Sequence, residues 1–156
     1  MILVCNTSPI IFMAKLGVLD WLKRYRAFIP EQVLAEIRKG EGNDVSAIDE
    51  LLKKQGAQIV PVHALKDLPD NLGEGEQAAI SLAAQKHADF ILVDEARARK
   101  VARLYGLHPR GTIGMIWEEY LKKRITKNEC KRHIIQLVTM GYRIREELLL
   151  KILEDL

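Results

Sequence analysis

The sequence offers little to support a membrane protein, a disulfide framework or a zinc site. No stretch of its 156 residues approaches the ~18 consecutive apolar residues of a membrane span. The opening Met1-Ile2-Leu3-Val4-Cys5 has neither the basic lead nor the length of a signal peptide, so a cytoplasmic location is expected. Two cysteines, Cys5 and Cys130, are too few for a disulfide scaffold. Cys5 lies in an apolar run, the setting of a core filler, and Cys130 has no histidine placed to make it a nucleophile. The four histidines, His63, His87, His108 and His133, lack metal-ligand spacing and read as surface or helix-end residues. Gly73-Glu74-Gly75 lacks the strand, loop and lysine of a phosphate-binding loop. Aromatic residues are only 6%, and Trp21 and Trp117 read as core or interface residues. Repeats, low-complexity tracts and Pro/Gly-rich linkers are also missing.

What is present is the composition of an ordinary globular protein, 48% apolar and 29% charged, long enough for one domain with a sizeable core. The net charge of +3 is unevenly spread. The first half is slightly acidic and the second half distinctly basic, an asymmetry compatible with a polyanion partner. Solvated helix faces explain most such runs and are the better account of any single basic cluster.

Short apolar runs alternate with helical periods. Ile2–Cys5, Ala27–Ile29, Gln58–Val62 and Phe90–Val93 read as strands, with a short fifth at His108–Gly111. After the first strand, Thr7 or Ser8 is placed to cap a helix with Pro9 in its first turn, ending near Gly17. A short helix is expected over Val18–Tyr25. Pro30 opens another, with Val33, Leu34 and Ile37 inward and Gly40 as its stop. Residues 41–44 read as a loop, and 45–55 as a helix burying Ile48, Leu51 and Leu52. A loop over His63–Leu72 leads to a helix from Glu74 to Lys86. Asp94 is expected to begin a helix to Tyr105 with Ala98, Val101, Ala102 and Tyr105 on one face. Thr112 caps a helix to Lys122, and helices over Lys127–Met140 and Arg145–Glu154 follow, broken at Gly141. Strands alternating with helices predict a parallel sheet covered on both faces, with its ligand site at the strands' carboxyl ends.

The residues at that edge carry the functional reading. Asn6 follows the first strand and Asp94 the fourth; each is also suited to a plain turn or cap. Glu76 shares a helix face with Ala79, Ile80 and Ala83, which puts a carboxylate at the rim of the core. Glu36 borders the buried face of its own helix, with a surface role beside Arg38 or Lys39 as the alternative. Crowded carboxylates repel unless protonated or metal-bound. Mg²⁺ or Mn²⁺ favours such oxygen ligands, and an ion there suits phosphodiester hydrolysis. Arg97, Lys100 and Arg103 on the exposed side of the helix after Asp94, with Arg110, are placed to hold a nucleic-acid backbone.

The chain resembles the PIN-domain family. Four segments carry the resemblance: Ile2-Leu3-Val4-Cys5-Asn6-Thr7-Ser8-Pro9-Ile10-Ile11, then Ile29-Pro30-Glu31-Gln32-Val33-Leu34-Ala35-Glu36, then Gly73-Glu74-Gly75-Glu76-Gln77-Ala78-Ala79-Ile80, then Ile91-Leu92-Val93-Asp94-Glu95-Ala96-Arg97-Ala98-Arg99. Arg110-Gly111-Thr112 before a helix is similar too. The resemblance covers roughly residues 1–125 and implies a three-layer α/β/α fold with a parallel sheet of strand order 3-2-1-4-5. It also implies an acidic Mg²⁺ or Mn²⁺ site and RNA as substrate. Members often dimerise, and many are toxins paired with an antitoxin protein. Carried over by position, the family's four acids fall on Asn6, Glu36, Glu76 and Asp94, with Asn6, Glu76 and Asp94 toward the metal. The supporting hydroxyl falls on Thr7 or Ser8, with Glu74 and Glu95 flanking the third and fourth acids. Asn6 is the departure: an amide offers a metal its carbonyl oxygen but no charge. A nucleic-acid-binding protein with weak or no catalysis is therefore the alternative to a ribonuclease. The chain is expected to form one domain over 1–156. Its last helices, about 127–156, with Ile144, Leu148, Leu149, Ile152, Leu153 and Leu156 at helical spacing, either pack on that domain or present a face to a partner.

Overall fold

Four strand pairings, all parallel, define the architecture. The computed structural model describes the backbone of residues 1–40 and 45–156, and the side chains of all but residues 41–47. The loop expected at 41–44 lies outside the described residues. Strands β1 (Ile2–Cys5), β2 (Arg26–Pro30), β3 (Gln58–Val60), β4 (Phe90–Leu92) and β5 (Pro109–Arg110) form a sheet of order β3-β2-β1-β4-β5. Helices flank it as the outer layers of an α/β/α fold. The register sets Phe28 opposite Val4 and Val4 opposite Ile91, so these three side chains make one row across the sheet. That row is buried in the same apolar cluster as Ala78, Ala79, Ala83, Ala98 and Ala102 from two helices. Leu3, Cys5, Ile29 and Leu92 alternate with it, point to the other face and are also buried. Burial on both faces explains why the strands read as continuous apolar runs.

The chain divides into two compact units, Met1–Thr112 and Ile113–Leu156. In the first, α1 (Thr7–Leu16) ends at Gly17, whose φ of 74° is the left-handed turn that glycine adopts without strain. A short 3-10 helix, Leu19–Arg24, buries Trp21, and α2 (Glu31–Lys39) follows β2 directly. Helix α3 (Val45–Lys54) buries Ile48 and Leu52. Leu51, expected inward, lies at the edge of that face, about 100° round the helix from Leu52, and is 38% exposed. Helix α4 (Glu74–Gln85) packs against β1, β2, β4 and α2, and its residues Ala78–Ala83 are all buried. Ser81 within that stretch is satisfied by donating to the Gln77 carbonyl and accepting from the Leu65 amide, which ties the loop after β3 to the helix. Helix α5 spans Ala96–Leu104, and the expected buried Tyr105 instead follows it at 37% exposure.

Helix α6 (Thr112–Leu121) begins on the last residue of the first unit. The second unit continues with α7 (Lys127–Thr139) and α8 (Glu146–Glu154). Thr126 and Glu129 cap α7 reciprocally, each side chain accepting from the other's backbone amide. The buried face of α7 is Cys130, His133, Ile134 and Leu137. His133 is thus a core residue, not the surface or helix-end residue expected, because its spacing from Cys130 and Leu137 puts it on the apolar stripe. Burial holds its imidazole below the ordinary pKa. Helix α8 has no buried residue, and Leu148 and Leu150 are 45% and 52% exposed.

Candidate metal and nucleic-acid site

Strand order reverses direction at β1, which has β2 on one side and β4 on the other, and the crevice between β1 and β4 is where such sheets bind ligands. Asn6 is the first residue beyond β1, and its amide donates to the Leu92 carbonyl at 2.9 Å, which fixes it beside the end of β4. It occupies the N-cap position of α1, yet its side chain makes no cap bond. The residue is only 5% exposed, and its Oδ1 is buried without a hydrogen-bond partner. A buried acceptor left unpaired costs ~1–3 kcal/mol. Neither Thr7 nor Ser8 caps α1 as expected; Asn6 takes that position, Thr7 bonds elsewhere and Ser8 is exposed.

Thr7 Oγ1 donates to Oε2 of Glu36 at 2.6 Å, and the Gly75 amide donates to Oε1 of Glu36 at 2.8 Å. One half-buried carboxylate therefore joins the starts of α1 and α4 to α2. This answers the alternative open for Glu36: it faces inward, and Arg38 pairs with Asp49 instead.

Glu76 lies one residue beyond Gly75 and is half-buried. Its carboxyl pKa is raised to about 7, first by burial, then by a hydrogen bond with the Glu95 carboxyl and by the charges of Glu95 and Glu36. The Gly73 amide, at the N-cap of α4, donates to Glu76 and opposes the shift. A carboxyl crowded by two others and partly buried holds its proton more tightly, so Glu76 keeps one to a higher pH than an ordinary glutamate. Glu95 itself is the N-cap residue of α5. Glu74 is exposed in the first turn of α4.

Asp94 does not begin its own helix, as expected, because α5 starts two residues later. Its carboxylate instead caps the next one: Oδ1 accepts from the Thr112 amide at 2.7 Å and Oδ2 from the Thr112 hydroxyl at 2.8 Å. Thr112 is fully buried. A charge at a helix N-terminus is favoured by the unpaired amides there.

The basic residues divide. Lys100 and Arg103 are exposed on α5. Arg97 is exposed with one guanidinium nitrogen 3.2 Å from the Asn71 carbonyl. Arg110 is half-buried on β5, its guanidinium 4.0 Å above the Phe90 ring.

A family model described as PIN domain matches residues 2–156. The chain belongs to the PIN-domain family. PIN domains are generally nucleases and usually use divalent metal ions. Among solved structures, the chain resembles a PilT N-terminus domain protein from the hyperthermophilic archaeon Sulfolobus solfataricus P2, with 19% identity and a TM-score of 0.57 over 72% of this chain and 87% of that one. At that identity the likeness concerns the fold. No curated protein matches.

In this PIN domain no three His, Cys, Asp or Glu residues gather as a ready metal cluster among the described residues. Glu36 and Asp94 are each turned to two donors of the chain itself. The donor set still suits a hard cation, being all oxygen, and the unpaired Asn6 Oδ1 is the acceptor that a cation would satisfy. The amide of Gly75 and the role of Thr112 as Asp94's partner were not read from the sequence. A glycine between two acids and a threonine ahead of a helix are their only local signals.

Proposed function

We propose that this PIN domain is a Mg²⁺- or Mn²⁺-dependent ribonuclease working at the carboxyl ends of β1 and β4. The observation that carries the reading is the buried, unpaired Oδ1 of Asn6 at the strand-order reversal, on the edge that also bears Asp94. Asn6, Glu76 and Asp94 would hold the ion, with Glu36 beside Glu76. The ion, when bound, supplies positive charge against a phosphoryl oxygen and lowers the pKa of a bound water. Glu76, its pKa raised to about 7, can hold or release a proton near neutral pH. Lys100 and Arg103, with Arg97, hold the RNA backbone along the exposed face of α5.

A second reading, RNA binding without turnover, is favoured by Asn6, because an amide in this place removes one negative charge from the ion's ligands. The test is cleavage of a mixed set of labelled RNAs with Mn²⁺, with Mg²⁺ and with chelator. Metal-dependent cleavage that is lost in Asp94→Asn and rises in Asn6→Asp supports the nuclease. Cleavage by Asn6→Asp but never by wild type supports the binding protein. If neither cleaves or binds RNA, both readings fall.

A further inference from the structure

Gly75 sits within α4, so its backbone is helical, and a glycine there loses more conformational entropy on folding than an alanine would. What the position requires is space. A Cβ built on Gly75 would stand 2.5 Å from Oε2, 2.7 Å from Cδ and 2.8 Å from Oε1 of Glu36. The whole carboxylate occupies the place where a side chain would begin. At Gly73, two residues earlier, the same construction meets Glu36 Oε1 only at 3.9 Å, an ordinary contact. The Gly75 amide also donates to Oε1 at 2.8 Å, and Thr7 Oγ1 holds Oε2 at 2.6 Å. Each oxygen thus has one fixed donor and keeps lone-pair capacity for another partner.

The geometry points to Gly75 as a positioning residue: its missing side chain and its amide together set where the Glu36 carboxylate stands beside Glu76. This rests on reading the sheet edge as a cation site. Glu36 ends a flexible side chain, so an alanine at 75 is accommodated by displacing that carboxylate while α4 stays folded. Glu36 stands beside Glu76, one of the residues that would hold the ion, and losing such outer contacts weakens metal binding by roughly 10–100-fold.

The test is Mn²⁺ uptake, read from the electron paramagnetic resonance signal of the free ion, for wild type, Gly75→Ala, Glu36→Asp and the double variant. Thermal melts run beside it to show that each is folded. Gly75→Ala should raise the Mn²⁺ dissociation constant about tenfold. Glu36→Asp should also weaken uptake, and the double variant should match Glu36→Asp, since a side chain one methylene shorter withdraws from the added methyl. Gly75→Ala with wild-type affinity, or a double variant whose loss is the product of the two single losses, would overturn the proposal and leave the cation site standing. A wild type that takes up no Mn²⁺ overturns the cation site and the proposal together. Should Gly75→Ala not fold, a folded double variant equal to Glu36→Asp supports the steric link, and an unfolded one overturns it.

Discussion

Glu76 should make the stability of this protein fall as pH rises from about 4.5 to about 7, and Glu76→Gln should abolish that fall. Burial and the Glu95 and Glu36 carboxylates raise its pKa from 4.5 to about 7 in the folded chain. Between those values the folded state keeps a proton that the unfolded chain has released. Stability declines with pH wherever the folded state holds the extra proton. The contribution is complete below pH 4.5 and gone above pH 7. Taken at face value the rise is worth ~3 kcal/mol. Glu76 is only half-buried, and solvent screening reduces this to about 1 kcal/mol. For a chain of this length that is a shift in Tm of roughly 2–4 °C. The assay is a series of thermal melts of wild type and Glu76→Gln between pH 4.5 and 8. The difference between the two curves should grow in favour of Glu76→Gln as pH rises, then level off. Added Mn²⁺ should stabilise wild type more at pH 8 than at pH 5, because ion and proton compete for the same oxygens. A difference between wild type and Glu76→Gln that stays constant across this range would refute the raised pKa of Glu76.

Two further perturbations address other parts of the site. Thr112→Val keeps the amide bond to Asp94 but removes the hydroxyl bond of 2.8 Å. It should cost about 1.5 kcal/mol in urea unfolding and lower metal-dependent cleavage. Replacing Lys100 and Arg103 together by Ala should weaken RNA binding alike for all sequences, and should flatten the dependence of log affinity on log salt by about 1.4. An unchanged salt slope would remove α5 from the RNA path.

The sheet was legible in the sequence because buried parallel strands are short apolar runs, and five of them could be placed to within a few residues. The edge bearing Asn6 and Asp94 was legible for the same reason, since both follow strands directly. The contacts that organise the site were not. Thr7 and Glu36 are 29 residues apart, Glu36 and Gly75 are 39 apart, and Asp94 and Thr112 are 18 apart. No local period reports on such pairs. Asp94 illustrates the cost: local reasoning makes it the cap of the helix that follows it, whereas it caps the one beyond. His133 and Leu51 differ for milder reasons: helical spacing puts the first on the buried stripe of α7 in spite of its polar ring, and the second only at the edge of the face of Ile48 and Leu52.

The central place of β1 has a consequence for synthesis. Of the five strands of this sheet, the one made first needs partners from both β2 and the much later β4. It meets β2 early, but its other neighbour, β4, begins only at Phe90, and Asn6 waits for the Leu92 carbonyl. Glu95 and Thr112, which hold Glu76 and Asp94, emerge later still. Until the segment from Phe90 to Thr112 is available, the domain can have the Glu36 contacts with Thr7 and Gly75 but no complete acidic edge, and the flank of β1 that β4 covers stays exposed.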